Sequence, residues 1–140
     1  MNLIIFGPPG AGKGTQADFI VNKYDLYQLS TGEVLRNEIK NKTDLGNEIS
    51  SIINSGSLVS DNIVKKLVEI FISDKRYKDR LIFDGYPRNL IQAETLQELL
   101  NKYGQKIDLV LKLSVSLETI KKRILERSTL EKRADDSEQI

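Results

Sequence analysis

A glycine-rich segment near the start of the chain carries residue types that suit phosphate binding. Gly7–Thr15 reads GPPGAGKGT and lies between an apolar run and an amphipathic one. Glycines let the backbone curl so that successive N–H groups point at one anion, and a helix N-terminus adds partial positive charge. Lys13 supplies a full charge. With these flanks, the segment predicts a nucleoside triphosphate site rather than a turn without a ligand.

The spacing of this segment departs from the general G-x-x-x-x-G-K-[ST] pattern in one position. Gly14 follows Lys13, and the hydroxyl comes one residue later, at Thr15.

A second candidate set follows the apolar run Leu81-Ile82-Phe83. It begins with Asp84, whose carboxylate could hold Mg²⁺ through water, and it ends with Arg88. Gly85 would allow close backbone approach. Gln92 lies one helical turn beyond Arg88 and shares its face if the helix begins early. Taken alone, the set fits an ordinary strand-to-helix turn with a surface arginine equally well.

More arginines lie in the last part of the chain. Arg123, Arg127 and Arg133 fall within eleven residues and fit an anion clamp around a polyphosphate. The alternative is a purely structural role, in which the arginines form salt bridges on a helix face and Asp135 and Asp136 cap a helix. For Arg36, which lies on an earlier helix, a solvated position is the simplest interpretation without further context.

Composition narrows the chemistry. The 140 residues contain no Cys and no His, which excludes disulfides, thiolate nucleophiles, an imidazole base and metal sites built from either residue. The net charge of +1 argues against duplex DNA or an anionic membrane as a partner. No apolar run approaches the roughly 18 residues of a membrane span. We therefore expect a soluble, cytoplasmic, single-domain protein.

The elements that position these residues alternate between short apolar runs and longer amphipathic ones, which predicts an α/β fold with a doubly wound parallel sheet and ligands at its carboxyl edge. Four strands are predicted. The first helix is predicted near Lys13 to Tyr24, with an apolar stripe of Ala17, Phe19, Ile20 and Val21. The predicted strands are Leu3–Phe6, Leu26–Leu29, Leu81–Phe83 and Asp108–Leu113, and the further helices lie near 33–40, 45–53, 61–72, 90–103 and 117–126.

Two of these helices have clear start signals. Ser30 with Glu33 three residues later forms a capping box, and Ser60 precedes the helix that carries Asp61.

Together these motifs, in this order, resemble the adenylate kinases of the short-lid kind, within the nucleoside monophosphate kinases. The resemblance covers the whole chain. It implies a P-loop nucleoside triphosphate hydrolase-like α/β fold with a helical NMP-binding insertion and a short lid. It also implies the reaction ATP + AMP ⇌ 2 ADP with Mg²⁺, in a monomer that has no nucleic acid or membrane partner.

The resemblance further implies residue roles. The ATP site would comprise Gly10, Ala11, Gly12, Lys13, Gly14, Thr15 and Arg127. The AMP site would comprise Thr31, Arg36, Ser57, Leu58, Val59, Gly85, Tyr86, Pro87, Arg88, Gln92 and Arg133. The migrating phosphoryl group would be surrounded by Lys13, Arg88, Arg123, Arg127 and Arg133, and Asp84 would hold the metal through water.

The implied division places a core in residues 1–29 and 60–126, an NMP-binding segment in 30–59, a lid in 127–136 and the start of a truncated helix in 137–140. Family members continue past the position of Ile140, so we expect a C-terminally truncated chain. The lid also departs from the family, because Glu131-Lys132 precedes Arg133 where relatives usually carry Ser-Gly.

Two alternatives stay open at this point. One is a UMP/CMP kinase, which shares the loop and the clamp. The other is a catalytically impaired nucleotide-binding fragment of an adenylate kinase.

Overall fold

The described residues form a parallel sheet with helices on both faces. The computed structural model describes residues 1–8, 10–57, 59–114, 118, 121–122 and 124–126. Within them the sheet has four strands, which run in the order β2-β3-β1-β4, all neighbours parallel. Their bounds are β1 Leu3–Phe6, β2 Tyr27–Ser30, β3 Leu81–Asp84 and β4 Leu109–Lys112. The predicted doubly wound parallel α/β fold is confirmed.

Five α-helices and one short 3-10 helix connect these strands. The helices are α1 Lys13–Tyr24, α2 Thr31–Lys40, α3 Asp44–Asn54, α4 Asp61–Ser73 and α5 Leu90–Lys102, and the 3-10 helix is Lys75–Tyr77. Positions 118, 121–122 and 124–126 are also helical, as the pattern near 117–126 predicts.

The two central strands, β1 and β3, are apolar on both sides and are buried on both faces of the sheet. Leu3 and Ile5 of β1 pack with Ala17 of α1 on one face. On the other face, Ile4 and Phe83 pack with side chains of α4 and α5. Burial on both faces is typical of parallel strands and explains why the strands read as continuous apolar runs.

The helical insertion between β2 and α4 has its own small core. Ile49 of α3 is fully buried against Ile63 and Leu67 of α4. The backbones of α2 and α3 approach closely at Gly46, where a Cβ would lie only 1.9 Å from the carbonyl oxygen of Glu38. Only glycine fits this crossing, which ties the two helices into one unit.

One detail of the helix predictions is wrong, and the condition attached to another is not met. Phe19 was placed on the buried stripe of α1, but its side chain is 63% exposed, while Ala17 is fully buried. Arg88 does not share a helix face with Gln92, because Asn89 caps α5 and the helix begins at Leu90. The predicted starts at Ser30 and Ser60 are confirmed, since each side chain accepts a hydrogen bond from the third residue beyond it.

Candidate functional site

The loop between β1 and α1 has an unusual backbone. Gly10 and Gly12 have φ values of +80° and +89°, in the left-handed region that side chains disfavour. Gly12 is the N-cap of α1 and makes no side-chain cap, and the first turn of α1 contains no acidic residue. The positive end of α1 therefore meets a glycine-rich loop without a carboxylate of its own first turn, which favours an anion.

Lys13, the first residue of α1, reaches across to the end of β3. Its Nζ lies 2.9 Å from Oδ1 of Asp84, and the two side chains are only 25% and 13% exposed. The second carboxylate oxygen, Oδ2, accepts a hydrogen bond of 3.1 Å from Nε2 of Gln28 in β2. Asp84 is thus held between a cation and an amide at the carboxyl edge of the sheet.

Gly85, which follows Asp84, joins the helical insertion to the same edge. Its carbonyl oxygen accepts a hydrogen bond of 3.2 Å from Oγ1 of Thr31 and one of 2.8 Å from Nε of Arg88. Gly85 has a φ of +81°, and a Cβ there would lie 3.2 Å from Nη2 of Arg88. Its backbone conformation favours glycine, and a Cβ at this position would displace the Arg88 guanidinium by a few tenths of an ångström.

Arg36 lies one helical turn after Thr31 and turns back toward it. Its Nη1 would lie 3.1 Å from a Cβ built on Gly32, the neighbour of Thr31. The guanidinium of Arg36 therefore lies beside the start of α2 rather than extending away from the insertion.

Gln92 lies in the first turn of α5, just beyond the Gly85–Arg88 turn, and its side chain is buried at 8% exposure. Its Oε1 accepts a hydrogen bond of 2.8 Å from the backbone N–H of Arg88, and its Nε2 donates one of 2.7 Å to Oδ1 of Asp61. Its own backbone N–H donates to Oδ1 of Asn89 at 2.8 Å. The Gln92 amide is therefore held at a definite position beside the Gly85–Arg88 turn.

The structure also describes four further residues of the predicted AMP site. The Tyr86 side chain packs in the core, and burial, with a smaller contribution from the charge of Asp61, raises the pKa of its hydroxyl to about 12. Pro87 is buried beside it, and the peptide bond between them is cis. Val59 packs, half-buried, against both the main core and the core of the insertion. Ser57 is exposed.

Several predicted site residues lie outside the described residues. These are Leu58, Arg123, Arg127 and Arg133, together with the predicted lid at 127–136 and the segment 137–140.

Sequence reasoning missed three polar partners that the structure brings to the site. Gln28 holds Asp84, Asp61 holds Gln92, and Asn89 caps the helix that carries Gln92. A weak signal exists for Gln28, because it directly precedes the buried Leu29 in β2, and a partly buried polar side chain usually has a hydrogen-bond partner.

Three features define the class of protein to which the chain belongs. They are the order of the strands, the glycine-rich loop between β1 and α1, and the lysine on the first turn of α1. The protein is an α/β protein of the P-loop nucleotide-binding kind.

Comparison with known proteins narrows the class to a family. The model of the adenylate kinase family matches residues 5–140. The adenylate kinase of Pelagibacter ubique (strain HTCC1062) is 54% identical over 132 residues, which are 94% of this chain and 62% of that protein. The chain belongs to the adenylate kinase family.

Other relatives agree. The adenylate kinase of Porphyromonas gingivalis (strain ATCC 33277) is 42% identical over 137 residues, covering 98% of this chain and 71% of the relative. That of Fusobacterium nucleatum (strain ATCC 25586) is 47% identical over 129 residues, covering 92% and 61%. The chain therefore spans about three fifths of the Pelagibacter and Fusobacterium proteins. Across the described positions, no helix has the length and apolar character needed to cross a membrane.

Proposed function

We propose that this site catalyses reversible phosphoryl transfer between two nucleotides, ATP + AMP ⇌ 2 ADP. One observation carries the proposal: two consecutive residues, Asp84 at the end of β3 and Gly85 after it, contact both the glycine-rich loop and the start of the helical insertion. Asp84 pairs with Lys13 of the glycine-rich loop, and the Gly85 carbonyl binds Thr31 and Arg88. A triphosphate on the loop and a monophosphate beside Thr31 would thus direct their phosphates toward each other.

The charges of this edge suit the reaction. Phosphoryl transfer depends mainly on positioning and on neutralising the negative charge of the transferring group. Lys13, Arg36 and Arg88 supply positive charge from three different segments, and the amides at the start of α1 add more. We propose that Arg123, Arg127 and Arg133 complete this set in the closed complex.

The acceptor needs no general base. The second pKa of a phosphate monoester is near ~6, so AMP is mostly dianionic at pH 7. One of its phosphate oxygens attacks the γ-phosphorus of ATP, the bond from that phosphorus to the β,γ-bridging oxygen breaks, and both products are ADP. A chain without histidine can therefore perform this step.

The predicted residue roles extend this proposal. Gly10, Ala11, Gly12, Lys13, Gly14, Thr15 and Arg127 would bind ATP. The AMP site would comprise Thr31, Arg36, Ser57, Leu58, Val59, Gly85, Tyr86, Pro87, Arg88, Gln92 and Arg133. Residues 1–29 and 60–126 would act as the core and 127–136 as the lid. Since nucleotides are the only partners required, we propose a cytoplasmic monomer with no nucleic acid or membrane partner.

The residues at the edge fit a magnesium ion that arrives with ATP. Mg²⁺ binds proteins through one or two carboxylates, keeps several waters, and takes its other ligands from phosphates. Asp84 is such a carboxylate, and Lys13 and Gln28 fix its position. When bound, the ion would neutralise charge on the β- and γ-phosphates, while Lys13 and the loop amides orient the same groups.

The test is phosphorus NMR of the protein with ATP, AMP and Mg²⁺. We expect ADP to form, and we expect Lys13→Ala to reduce the rate by at least 100-fold. Lys23→Ala is the matched control, because Lys23 is exposed on the last turn of the same helix, roughly 15 Å away.

Two results would change the assignment. Formation of no ADP above the Lys13→Ala variant would overturn the proposed catalysis by this chain and favour the catalytically impaired fragment. Faster turnover of CMP or UMP than of AMP would indicate a pyrimidine nucleotide kinase.

A further inference from the structure

The side-chain amide of Gln92 lies between one group that can only donate a hydrogen bond and one that can only accept one. The backbone N–H of Arg88 only donates, and it lies 2.8 Å from Oε1. The carboxylate of Asp61 only accepts, and its Oδ1 lies 2.7 Å from Nε2. The assignment of oxygen and nitrogen in this amide is therefore dictated by its neighbours.

Reversing the amide would be costly. A flipped Gln92 would direct its oxygen at the Asp61 carboxylate and its NH₂ group at the Arg88 N–H, so both hydrogen bonds would be replaced by repulsive contacts. A hydrogen bond to a charged group alone favours one state by roughly tenfold or more. Burial of Gln92 strengthens this preference, because water has little access to compensate a flipped amide.

A fixed amide presents a fixed pattern to a ligand. An amide has two N–H donors and two acceptor positions on oxygen. Asp61 takes one donor and Arg88 occupies one acceptor position, so one donor and one acceptor remain. That pair complements a base edge with a ring nitrogen acceptor beside an amino group. A base with a ring N–H beside a keto oxygen would require the reversed amide.

We propose that Asp61 is a positioning residue that sets base selectivity, because it fixes the Gln92 amide in the orientation that accepts amino bases and rejects keto bases. The inference rests on the proposed function, in which Gln92 would bind AMP, and it takes the base as the part of AMP that the Gln92 amide would contact. It assigns the discrimination of AMP from IMP to a residue that does not itself touch the nucleotide.

The surroundings of Asp61 support a role beyond helix stabilisation. Asp61 is the first residue of α4, but the helix is already capped by Ser60, whose hydroxyl accepts from the backbone N–H of Ile63. The Asp61 carboxylate instead crosses from α4 to α5 to bind Gln92.

The test compares two acceptors of the same size and charge that differ only at the base edge. The dissociation constants of AMP and IMP are measured by calorimetry for the wild-type protein and for Asp61→Ala and Asp61→Asn. We expect the wild-type protein to bind AMP more tightly than IMP. Asp61→Ala should reduce the ratio of AMP affinity to IMP affinity about tenfold. Asp61→Asn has nearly the same size but can donate as well as accept, so it no longer favours one amide orientation and should also lower the ratio.

Asp44→Ala is the matched control. Asp44 is the first residue of α3 and follows the N-cap Thr43, as Asp61 follows Ser60. The control should cost similar helix stability and leave the ratio unchanged. If Asp61→Ala does not fold, Asp61→Glu moves the carboxylate by one methylene at the same helix position and should still lower the ratio.

The outcomes separate the two proposals. Equal losses of AMP and IMP affinity in both Asp61→Ala and Asp61→Glu, with the ratio unchanged, would show a merely structural role and overturn the inference alone. Failure of the wild-type protein to bind AMP would overturn the proposed function, and the inference with it.

Discussion

Replacement of Gly85 by alanine tests whether the end of β3 organises the acceptor side of the site. Gly85 has a φ of +81°, and a non-glycine residue in the left-handed region costs about 1–2 kcal/mol. For a chain of 140 residues, that loss corresponds to a fall in Tm of about 3–8 °C. This part of the effect is a property of the backbone and would occur at any glycine with a similar φ.

The second part of the effect is specific to the site. The added Cβ would lie 3.2 Å from Nη2 of Arg88 and 3.4 Å from Oγ1 of Thr31. Such contacts relax by a few tenths of an ångström, and a displacement of 1 Å near reacting groups costs about 10²-fold. We therefore expect kcat/KM for AMP to fall by roughly 3–10-fold in Gly85→Ala.

Gly104→Ala provides the control. Gly104 follows α5 and has a φ of +70°, and among the described residues no heavy atom beyond its two chain neighbours would lie within 4 Å of its Cβ. Thermal unfolding and steady-state kinetics measured on both variants separate strain from function. Both should lose similar stability, and only Gly85→Ala should lose activity toward AMP. Equal kcat/KM values for the two variants would refute the argument that Gly85 organises the site.

Three further changes test other contacts. Gly46→Ala should destabilise the protein by about 2–3 kcal/mol, as seen in denaturant unfolding, because its Cβ would collide with the Glu38 carbonyl; a stabilised variant would contradict the close helix crossing. Tyr86→Phe should be neutral or stabilising by up to about 1 kcal/mol, since the hydroxyl is buried without a partner among the described residues. The wild-type phenol ionises only near pH 12 when folded and near 10 when unfolded, so stability should fall between these values, and this fall should be smaller in Tyr86→Phe. Gln28→Leu should raise the Mg²⁺ concentration for half-maximal rate about tenfold, because Gln28 orients the Asp84 carboxylate; an unchanged Mg²⁺ dependence would argue against Asp84 as the metal contact.

The strands and most helices could be predicted because each has a local signal. Continuous apolar runs predicted β1 and β3 to within one residue, since strands buried on both faces have no polar alternation. The error at Phe19 has a geometric cause. Ala17, Ile20 and Val21 are spaced for one helix face, but Phe19 is two positions from Ala17, about 200° around the helix, and so faces outward.

The side-chain partners of the site could not be predicted in this way. The contact between Gln28 and Asp84 joins residues 56 positions apart, and that between Asp61 and Gln92 joins residues 31 positions apart. Gln28 and Asp61 do not belong to a sequence motif. Each of the two hydrogen bonds depends on how strands and helices pack. The Gly7–Thr15 motif was visible because its glycines and lysine act together within one turn.

The order of the strands explains why the end of β3 would serve both nucleotides in the proposed reaction. β3 lies between β2 and β1, and its last residue Asp84 is in register with Ser30 of β2 and Ile5 of β1. Neighbouring strands are about 4.8 Å apart, so the ends of β1 and β2 are separated by roughly 10 Å.

That separation suits two phosphate chains that meet end to end. The proposed triphosphate site begins after β1 and the proposed monophosphate site after β2, so the phosphoryl group would cross above β3. The Asp84 side chain contacts Lys13 of the glycine-rich loop, and the Gly85 carbonyl oxygen contacts Thr31 at the start of α2. A single strand end would therefore align donor and acceptor. Parallel strand order, rather than any one side chain, therefore provides the alignment on which the proposed transfer depends.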